Sequence, residues 1–449
     1  MKHISPIDGR YQEETKELVS FFSESSLFKY RLMIEIEYLI ALSQEEKITE
    51  LKPFTSVEEL KLKSIYINFS EKHAEIIKKI ENQTHHDVKA VEYFLQIILK
   101  SVGRQKYIPF IHFALTSEDV NNLAYILMWR DALQNCYLSQ IQDLVNNLQN
   151  KSQEYKDIPL LALTHGQPAS PTTLGKEFAV YAERLKRQIK QLKSHKLQGK
   201  LNGATGTWSA HQVAYPDIDW IEFSKKFIES FNLEPQLLST QINSYDSLAE
   251  NYHIIIRINN ILTDFSRDIW LYISRGIFIQ EKKAGEIGSS TMPHKINPIL
   301  FENAEGNLGL ANSIFNHLAN TLPISRLQRD LSGSTLTRNQ GVPLAHSLLA
   351  CKSIIKGLNR IIPNEQIIKQ ELGNHWEVLA EAIQTILRKH GHTDAYEQLK
   401  KLTHGEKITK ENLQKIILSL KITESEKQKL LKLTPASYIG IASKLINLL

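Results

Sequence analysis

The sequence of 449 residues predicts an all-α protein built around an antiparallel bundle of long helices. The chain contains only 19 Gly and 14 Pro, and long stretches contain neither residue, which disfavours frequent turns. Apolar residues also recur at helical spacing through several long segments. One predicted helix, residues 117–155, would span roughly 55–60 Å, which is more than one small domain can cover. An extended bundle is therefore expected.

The predicted elements divide the chain into three helical domains. Residues 1–110 form an N-terminal helical domain with helices from Glu24 to Gln44, from Val57 to Ile80 and from Val88 onward. The polar stretch Val102–Pro109 indicates the end of this domain.

Residues 111–363 form the central domain of long helices. Beyond the 117–155 helix, long helices are predicted from Ser170-Pro171 to Leu197, from Ser247 to Phe278 and from Pro298 to Thr321. A compact turn at Leu163–Ala169 separates the first two. Shorter patterns after Pro363 predict a small helical C-terminal domain, residues 364–449.

Two helix starts are predicted from their capping residues. Asn297 suits the N-cap position with Pro298 as the first helical residue. Ser334 suits an N-cap as well, which would place Arg338 one turn into the following helix.

The composition indicates a cytoplasmic globular protein. Its net charge is only +5, and no Lys/Arg block with interleaved aromatic residues is present, so neither nucleic acid nor membrane is expected as a partner. No segment approaches the ~20 apolar residues that a membrane span requires. Cys136 and Cys351 are far apart, which favours a reducing compartment over a disulfide framework and gives no metal-ligand spacing.

The segment Gly285–Pro298 is the most informative part of the sequence, because it reads GEIGSSTMPHKINP. Its glycines and serines allow unusual backbone geometry, whereas Pro293 stiffens the path that leads to Lys295. A hydroxyl-bearing loop that ends at a lysine and a positive helix terminus suits a substrate whose carboxylates gain negative charge during reaction. A flexible linker is the simpler interpretation, but linkers rarely contain Met-Pro-His-Lys-x-Asn-Pro.

This segment closely resembles the signature loop of the fumarase/aspartase superfamily, whose members eliminate fumarate from succinyl substrates. The resemblance extends over nearly the whole chain and is greatest to the branch that acts on succinylated purine nucleotides. It implies that Ser289, the first serine of the loop pair, is the general base. It also implies that His165, in the motif Thr-His-Gly-Gln-Pro-Ala, is the general acid and is paired with Glu302.

The resemblance assigns the other site residues by matching positions. Lys295 and His86 join the catalytic group, with Lys295 also contacting substrate. Arg329, Ser334 and Arg338 match a phosphate-binding set, which two guanidinium groups and a hydroxyl suit chemically. The remaining implied substrate contacts are Arg10, Tyr11, His85, His86, Asp87, Thr116, Ser117, Thr164, Gln241, Ser290, Asn297 and Asn303.

The implied activity is the β-elimination of fumarate from adenylosuccinate, which gives AMP. The succinocarboxamide ribotide of purine biosynthesis (SAICAR) would react in the same way to give AICAR. No cofactor and no metal are implied. The implied partners are small nucleotide substrates and further copies of the chain, because superfamily members form homotetramers whose long helices make the core and whose active sites use three subunits.

Two alternatives remain open at this point. Another fumarate-releasing lyase, of the argininosuccinate lyase or fumarase type, would have no use for a phosphate set. A non-catalytic helical assembly of the same fold would not require Ser289, His165 and Lys295. Two departures from the family pattern are visible, Asn243-Ser244-Tyr245 where Glu-Pro-His is frequent, and Gly333 where a polar residue is usual.

Overall fold

The computed structural model describes residues 3–281, 292, 295–403 and 408–449. Over these residues the chain is almost entirely helical, and its strands are only two or three residues long. The predicted all-α class is therefore confirmed. No helix in the described ranges is long and apolar enough to cross a membrane.

The N-terminal region contains six α-helices and one short 3₁₀ turn at Lys16–Leu18. The helices are α1 (Gln12–Thr15), α2 (Val19–Phe22), α3 (Glu24–Ser43), α4 (Ser56–Ile67), α5 (Glu71–Thr84) and α6 (Asp87–Ser101). The single helix predicted from Val57 to Ile80 was wrong, because the chain forms α4 and α5 instead. Asn68 ends α4, and the Ser70 amide donates to His73 Nδ1 at 3.2 Å in a capping box that starts α5.

The long helix predicted at 117–155 is confirmed. After a 3₁₀ segment at Gln105–Phe110, it consists of α7 (Ser117–Ala132), a π segment (Leu133–Tyr137) and α8 (Leu138–Glu154). Thr116 begins it with a capping box, in which its amide donates to Asp119 Oδ2 at 2.9 Å.

The next region alternates short strands with one long helix. The elements are β1 (Pro159–Leu160), β2 (Leu163–Thr164), β3 (Gln167–Pro168), β4 (Thr172–Thr173), α9 (Leu174–Ser194) and β5 (Gln198–Gly199). Strand β1 pairs antiparallel with β4, and β2 pairs antiparallel with β3. The helix start predicted at Ser170-Pro171 was wrong, because Thr172 and Thr173 are extended to pair with β1 and α9 begins only at Leu174.

The region from residue 209 to 358 contains the longest helices. Its elements are α10 (Ser209–Ala214), α11 (Trp220–Ser230), β6 (Glu234–Pro235), α12 (Asp246–Ser274), β7 (Phe278–Gln280), α13 (Ile299–Thr321), α14 (Ser332–Thr337) and α15 (Gly341–Leu358). Strand β5 pairs with β6 in parallel. Helix α12 ends four residues before the predicted Phe278, because Gly276 adopts a φ of 76° and Phe278 enters β7.

The C-terminal region contains short helices, as predicted. Its elements are β8 (Ile361–Pro363), which pairs antiparallel with β7, then α16 (Glu365–Gly373), α17 (Ala380–Lys389), α18 (Ala395–Thr403), α19 (Lys410–Ser419), α20 (Glu424–Leu431) and α21 (Ala442–Leu445), with 3₁₀ turns at Trp376–Leu379 and Ile446–Leu448.

The chain forms two compact units. Unit 1 contains residues 1–141, 188–260 and 306–352, and unit 2 contains residues 142–187, 261–305 and 353–449. The three-domain division at residues 110 and 363 stays a prediction.

Each unit has its own aromatic core. In unit 1 the centroid of the fully buried Trp129 ring lies 4.8 Å from the ring centroid of Tyr252 and 5.9 Å from that of Phe315. These ring contacts join α7, α12 and α13. In unit 2 the ring of Phe178 lies 5.8 Å from both Tyr155 and Phe265. Such ring pairs contribute about 0.5–1.5 kcal/mol beyond the burial of apolar area. They fix the long helices that carry the candidate site residues.

Candidate active site

Only part of the predicted signature loop can be described. Ser289 and Ser290, the proposed general base and its neighbour, lie outside the described residues. Met292 and residues 295–298 are described. The amide of Lys295 donates to the Met292 carbonyl at 3.0 Å, and the Lys295 side chain is exposed.

His165 lies at the tip of a tight hairpin in unit 2. Strands β2 and β3 are joined by His165 and Gly166, whose φ angles are 53° and 73°. Two consecutive residues of positive φ make a type I′ turn, and Gly166 takes this geometry without strain. Thr164 and His165 are both exposed, so the hairpin presents the imidazole at the surface of the chain.

Helix α13 starts one residue later than the sequence predicted. The carbonyl of Pro298 accepts the amides of Phe301 at 3.1 Å and Glu302 at 3.3 Å, so Pro298 takes the capping position. The prediction of Asn297 as N-cap was wrong, because the first intrahelical hydrogen bonds are accepted by the carbonyl of the next residue, Pro298. Asn297 itself is half-buried, directly before the helix.

Glu302 and Asn303 are fixed by partners in unit 2. Trp270 Nε1 donates to Glu302 Oε1 at 3.0 Å, and Ser353 Oγ donates to Asn303 Oδ1 at 2.9 Å. No hydrogen bond joins His165 to Glu302 within the described residues of one chain. The implied pairing of these two residues stays a prediction.

Most of the other candidate residues belong to unit 1. Arg10 and Tyr11 precede α1, with the Arg10 guanidinium 5.9 Å from the centroid of the Tyr11 ring. His85 adopts a φ of 54° at the end of α5, and His86 caps α6 by accepting the Lys89 amide at its Nδ1, 3.1 Å away. Both histidines are exposed, and His86 has a structural role as the N-cap of α6.

Asp87 connects two arginines that are far apart in sequence. Its Oδ2 accepts from Arg31 Nη2 and from Arg338 Nη2, each at 2.7 Å. Burial raises the pKa of the Asp87 carboxyl, but Arg31 and Arg338 outweigh burial and hold this pKa well below its usual range. Asp87 is therefore a fixed anion beside the proposed phosphate arginine.

Arg329 and Gln241 are also in direct contact. Arg329 Nη1 donates to Gln241 Oε1 at 3.2 Å, and Gln241 Nε2 donates to the Ala204 carbonyl at 2.9 Å. Arg329 Nη2 lies 3.5 Å from Glu118 Oε2. The Arg329 side chain, 22% exposed, thus has two protein partners and still reaches solvent.

Thr116 and Ser117 begin α7, two residues before the buried ion pair of Asp119 with Lys200. Lys200 Nζ lies 2.9 Å from Asp119 Oδ1, and both side chains are fully buried. Asp119 also accepts the Thr116 amide at 2.9 Å and the Gly203 amide at 3.1 Å, both at Oδ2. This network fixes the start of α7, and therefore the positions of Thr116 and Ser117.

The helix start predicted at Ser334 was wrong. Helix α14 begins at Ser332 because Asp330 Oδ1 accepts the Ser332 amide at 2.9 Å and so forms the turn two residues earlier. Ser334 is inside the helix, and Arg338 follows its end instead of lying one turn into it. Ser334 and Arg329 nevertheless line the same small cavity, together with Asn121, Tyr125 and Thr337.

The sequence patterns did not reveal the residues that support Arg338 and Arg329, chiefly Arg31 and Glu118. Arg31 is 1% exposed and donates from Nε to Asn121 Oδ1 at 2.9 Å, and Glu118 is 6% exposed. A single arginine between Phe28 and Leu32 of an apolar helix was a visible signal, because such a charge needs a buried partner. Elsewhere among the described residues, no cluster of three His, Cys, Asp or Glu side chains could hold a metal ion.

The fold matches solved enzyme structures at low sequence identity. One is a fumarate lyase from Mesorhizobium sp. BNC1, with a TM-score of 0.74, 17% identity and 96% of each chain covered. Another is the 3-carboxy-cis,cis-muconate lactonizing enzyme from Pseudomonas putida, with a TM-score of 0.72, 20% identity, and 96% of this chain and 95% of that chain covered. At these identities the comparison shows that the chain shares the fold of both enzymes.

Sequence comparisons identify the family. Residues 9–311 match the Lyase family, and residues 325–439 match the family described as Adenylosuccinate lyase C-terminal. The chain is 48% identical to an adenylosuccinate lyase of Haemophilus influenzae over 99% of this chain and 98% of that protein. It is 45% identical to one of Escherichia coli K12 over the same shares, and 48% identical to one of Dictyostelium discoideum over 98% and 96%. These matches place the chain in the fumarase/aspartase superfamily. Within it, the chain belongs to the adenylosuccinate lyase family.

Proposed function

We propose that this chain eliminates fumarate from adenylosuccinate to give AMP, and from SAICAR to give AICAR. The observation that carries the proposal is the arrangement of Arg329, Ser334 and Arg338 in unit 1. Arg329 and Ser334 line one cavity, and Arg338 is oriented by Asp87. Two guanidinium groups and a hydroxyl suit the 5′-phosphate that both nucleotides carry.

The elimination needs an acid, a base and a stabiliser of negative charge. Ser289 removes the proton next to a carboxylate, and His165 protonates the departing nitrogen. Lys295 and the start of α13 stabilise the carboxylate that gains charge between these steps. The exposed position of His165 on a tight hairpin and the exposed Lys295 side chain support these roles.

Recognition of the phosphate requires arginines that are oriented before the substrate arrives. Arg329 contacts Gln241 and Glu118, and Arg338 contacts Asp87, so neither side chain is a freely rotating surface group. Ordering a long side chain when a ligand binds costs up to about 2 kcal/mol. Contacts within the folded chain already order Arg329 and Arg338, so much of this cost does not arise when the nucleotide binds. The nucleotide therefore meets oriented donors.

The proposal includes a homotetramer with shared active sites in the cytoplasm. In helix α13, Gly306 and Gly309 face solvent, and outside their own helix a Cβ added to either would meet no described atom within 4 Å. Each internal glycine costs a helix about 1 kcal/mol relative to alanine. Close approach of a helix from another copy gives these glycines a role, because only a side chain as small as theirs permits it.

The alternative activities are less well supported. Argininosuccinate and malate carry no phosphate, so they would leave Arg329, Ser334 and Arg338 without a ligand. A non-catalytic assembly would leave His165 and Lys295 without a role. No described residue favours either alternative.

An absorbance assay with three substrates tests the proposal. The purified chain should release fumarate from adenylosuccinate and show no turnover of argininosuccinate or malate at equal concentration. Turnover of argininosuccinate in place of adenylosuccinate would overturn the assignment. A Ser289→Ala preparation made in parallel controls for contaminating lyases.

A further inference from the structure

The segment Asn243–Tyr245 departs from the family pattern and forms a turn. This turn places the phenol of Tyr245 in the interior of unit 1. The amide of Tyr245 donates to Asn243 Oδ1 at 2.7 Å, and Asn243 is 1% exposed. This contact holds Tyr245 at a φ of 59°. Positive φ is unfavourable for a bulky aromatic residue, so the surrounding structure must impose it.

The phenol of Tyr245 reaches the carboxylate that faces Arg329. Tyr245 is 4% exposed, and its hydroxyl donates to Glu118 Oε1 at 2.8 Å. The other oxygen, Glu118 Oε2, lies 3.5 Å from Arg329 Nη2. Burial, followed by the charge of Glu118, raises the pKa of Tyr245 well above its ordinary value, so the phenol remains a proton donor.

We propose that Tyr245 and Glu118 are positioning residues for Arg329, and that the segment Asn243–Tyr245 thereby sets the affinity for the 5′-phosphate. This inference rests on the proposed function. The phenol occupies one carboxylate oxygen, so Glu118 meets Arg329 through the other alone. Arg329 keeps its contact with Gln241 and retains donors for a ligand.

Loss of the phenol hydroxyl has a defined consequence. In Tyr245→Phe, Glu118 loses its donor and can turn both oxygens toward Arg329, which would then form a bidentate pair. That pair competes with phosphate for the same guanidinium. The affinity for AMP should fall about three- to tenfold, since the lost hydrogen bond involves a charged group. Inhibition by fumarate, which carries no phosphate, should not change.

Calorimetric titration of AMP and steady-state kinetics measure this effect. Tyr245→Phe should raise KM with little change in kcat, whereas a merely structural defect would reduce the active fraction and therefore kcat. Tyr30→Phe is the matched control, because Tyr30 is also buried in unit 1 and its hydroxyl donates to a carboxylate, Asp131 Oδ2, at 2.8 Å. Tyr245→His, which restores a donor, should recover most of the AMP affinity.

A double-mutant cycle tests whether the effect passes through Glu118. In a Glu118→Gln background, Tyr245→Phe should alter AMP affinity less than twofold, because the competing carboxylate is absent. The inference fails if Tyr245→Phe weakens AMP equally in both backgrounds, leaves AMP affinity unchanged, or weakens AMP and fumarate alike. Should Tyr245→Phe alone not fold, Tyr245→Met, which also lacks a donor for Glu118, is read in both backgrounds and decides between the same outcomes.

The same experiment separates failure of this inference from failure of the proposed function. A wild-type chain that neither binds AMP nor converts adenylosuccinate would overturn the proposed function. An active wild-type chain in which Arg329→Met weakens AMP but Tyr245→Phe does not would overturn the positioning role alone.

Discussion

Arg338 Nη2 lies 2.7 Å from Asp87 Oδ2, although 251 residues separate them in the sequence. The same oxygen accepts from Arg31 Nη2 at 2.7 Å, and Arg31 is 1% exposed. Asp87 therefore neutralises a buried guanidinium on one side and orients a partly exposed one on the other. A single carboxylate links the stability of unit 1 to the proposed phosphate site.

Replacement of Asp87 by Asn should destabilise the chain. The change leaves Arg31 buried without its charge partner, which should lower the free energy of unfolding by about 2–4 kcal/mol. Urea denaturation measures the loss. Glu365→Gln, which breaks the exposed pair of Glu365 with Lys369, is the control and should have little effect. Equal stability of the two variants would show that Asp87 does not compensate Arg31.

Stability should also fall between neutral and alkaline pH because of His112. Burial lowers the pKa of His112, but the Glu35 carboxylate, 2.6 Å away, outweighs burial and raises the pKa to about 9. Because the folded pKa exceeds the unfolded value of about 6.5, the contribution is complete below pH 6.5 and is lost as pH rises through 9. It amounts to at most about 3 kcal/mol.

Thermal unfolding from pH 6 to pH 10 measures this contribution in the wild type and in His112→Asn. Asn suits the variant because it tolerates the φ of 57° that His112 adopts. The unfolding midpoint of the wild type should fall across the interval from pH 6.5 to 9, and that of the variant should fall less. Parallel pH profiles would exclude the His112–Glu35 pair as the cause.

Ser289→Ala should reduce turnover by about 10²–10⁴ while adenylosuccinate still binds, since the hydroxyl is needed only for proton removal. His165→Ala should behave similarly, and the double variant should lose far less than the product of the single effects. Calorimetry with adenylosuccinate measures binding separately from turnover. Wild-type turnover in Ser289→Ala would mean that another residue is the base.

Gly309→Gln should disrupt assembly without unfolding the chain. The position has open space outside its own helix, and glutamine favours helix more than glycine does, so the chain itself should tolerate the change. Light scattering should show smaller particles, with activity falling in parallel. Gly373→Gln, at the end of α16 and equally open, is the control. A tetrameric and active Gly309→Gln variant would contradict close packing at α13.

The sequence predicted the long helices well because their stability depends on a repeated apolar pattern. Two of its errors fell where short polar side chains redirect the backbone. Ser70 and Asp330 form turns that the periodicity of the surrounding residues does not reveal. Such errors displaced the ends of elements without changing the fold class.

The candidate site was predictable in its residue types but not in its supporting contacts. The motifs around His165 and Arg329 are local in sequence and therefore recognisable. The contacts of Arg338 with Asp87 and of Glu118 with Tyr245 each join segments more than 100 residues apart, and only folding brings them together. The departure at Tyr245 is visible in the sequence, whereas its hydrogen bond to Glu118 is not.

One kinetic comparison tests most directly whether Arg329 and Arg338 recognise the 5′-phosphate. The values of kcat/KM for adenylosuccinate and for the same molecule without phosphate are measured in the wild type and in Arg338→Met. Arg326→Met, which removes an arginine that is 83% exposed in the same segment, controls for general charge effects.

The wild type and Arg326→Met should strongly prefer the phosphorylated substrate. In Arg338→Met this preference should fall about ten- to a hundredfold, because one charge-assisted hydrogen bond contributes about 1.5–3 kcal/mol. An unchanged preference in Arg338→Met would contradict the phosphate assignment and return argininosuccinate to consideration as the substrate.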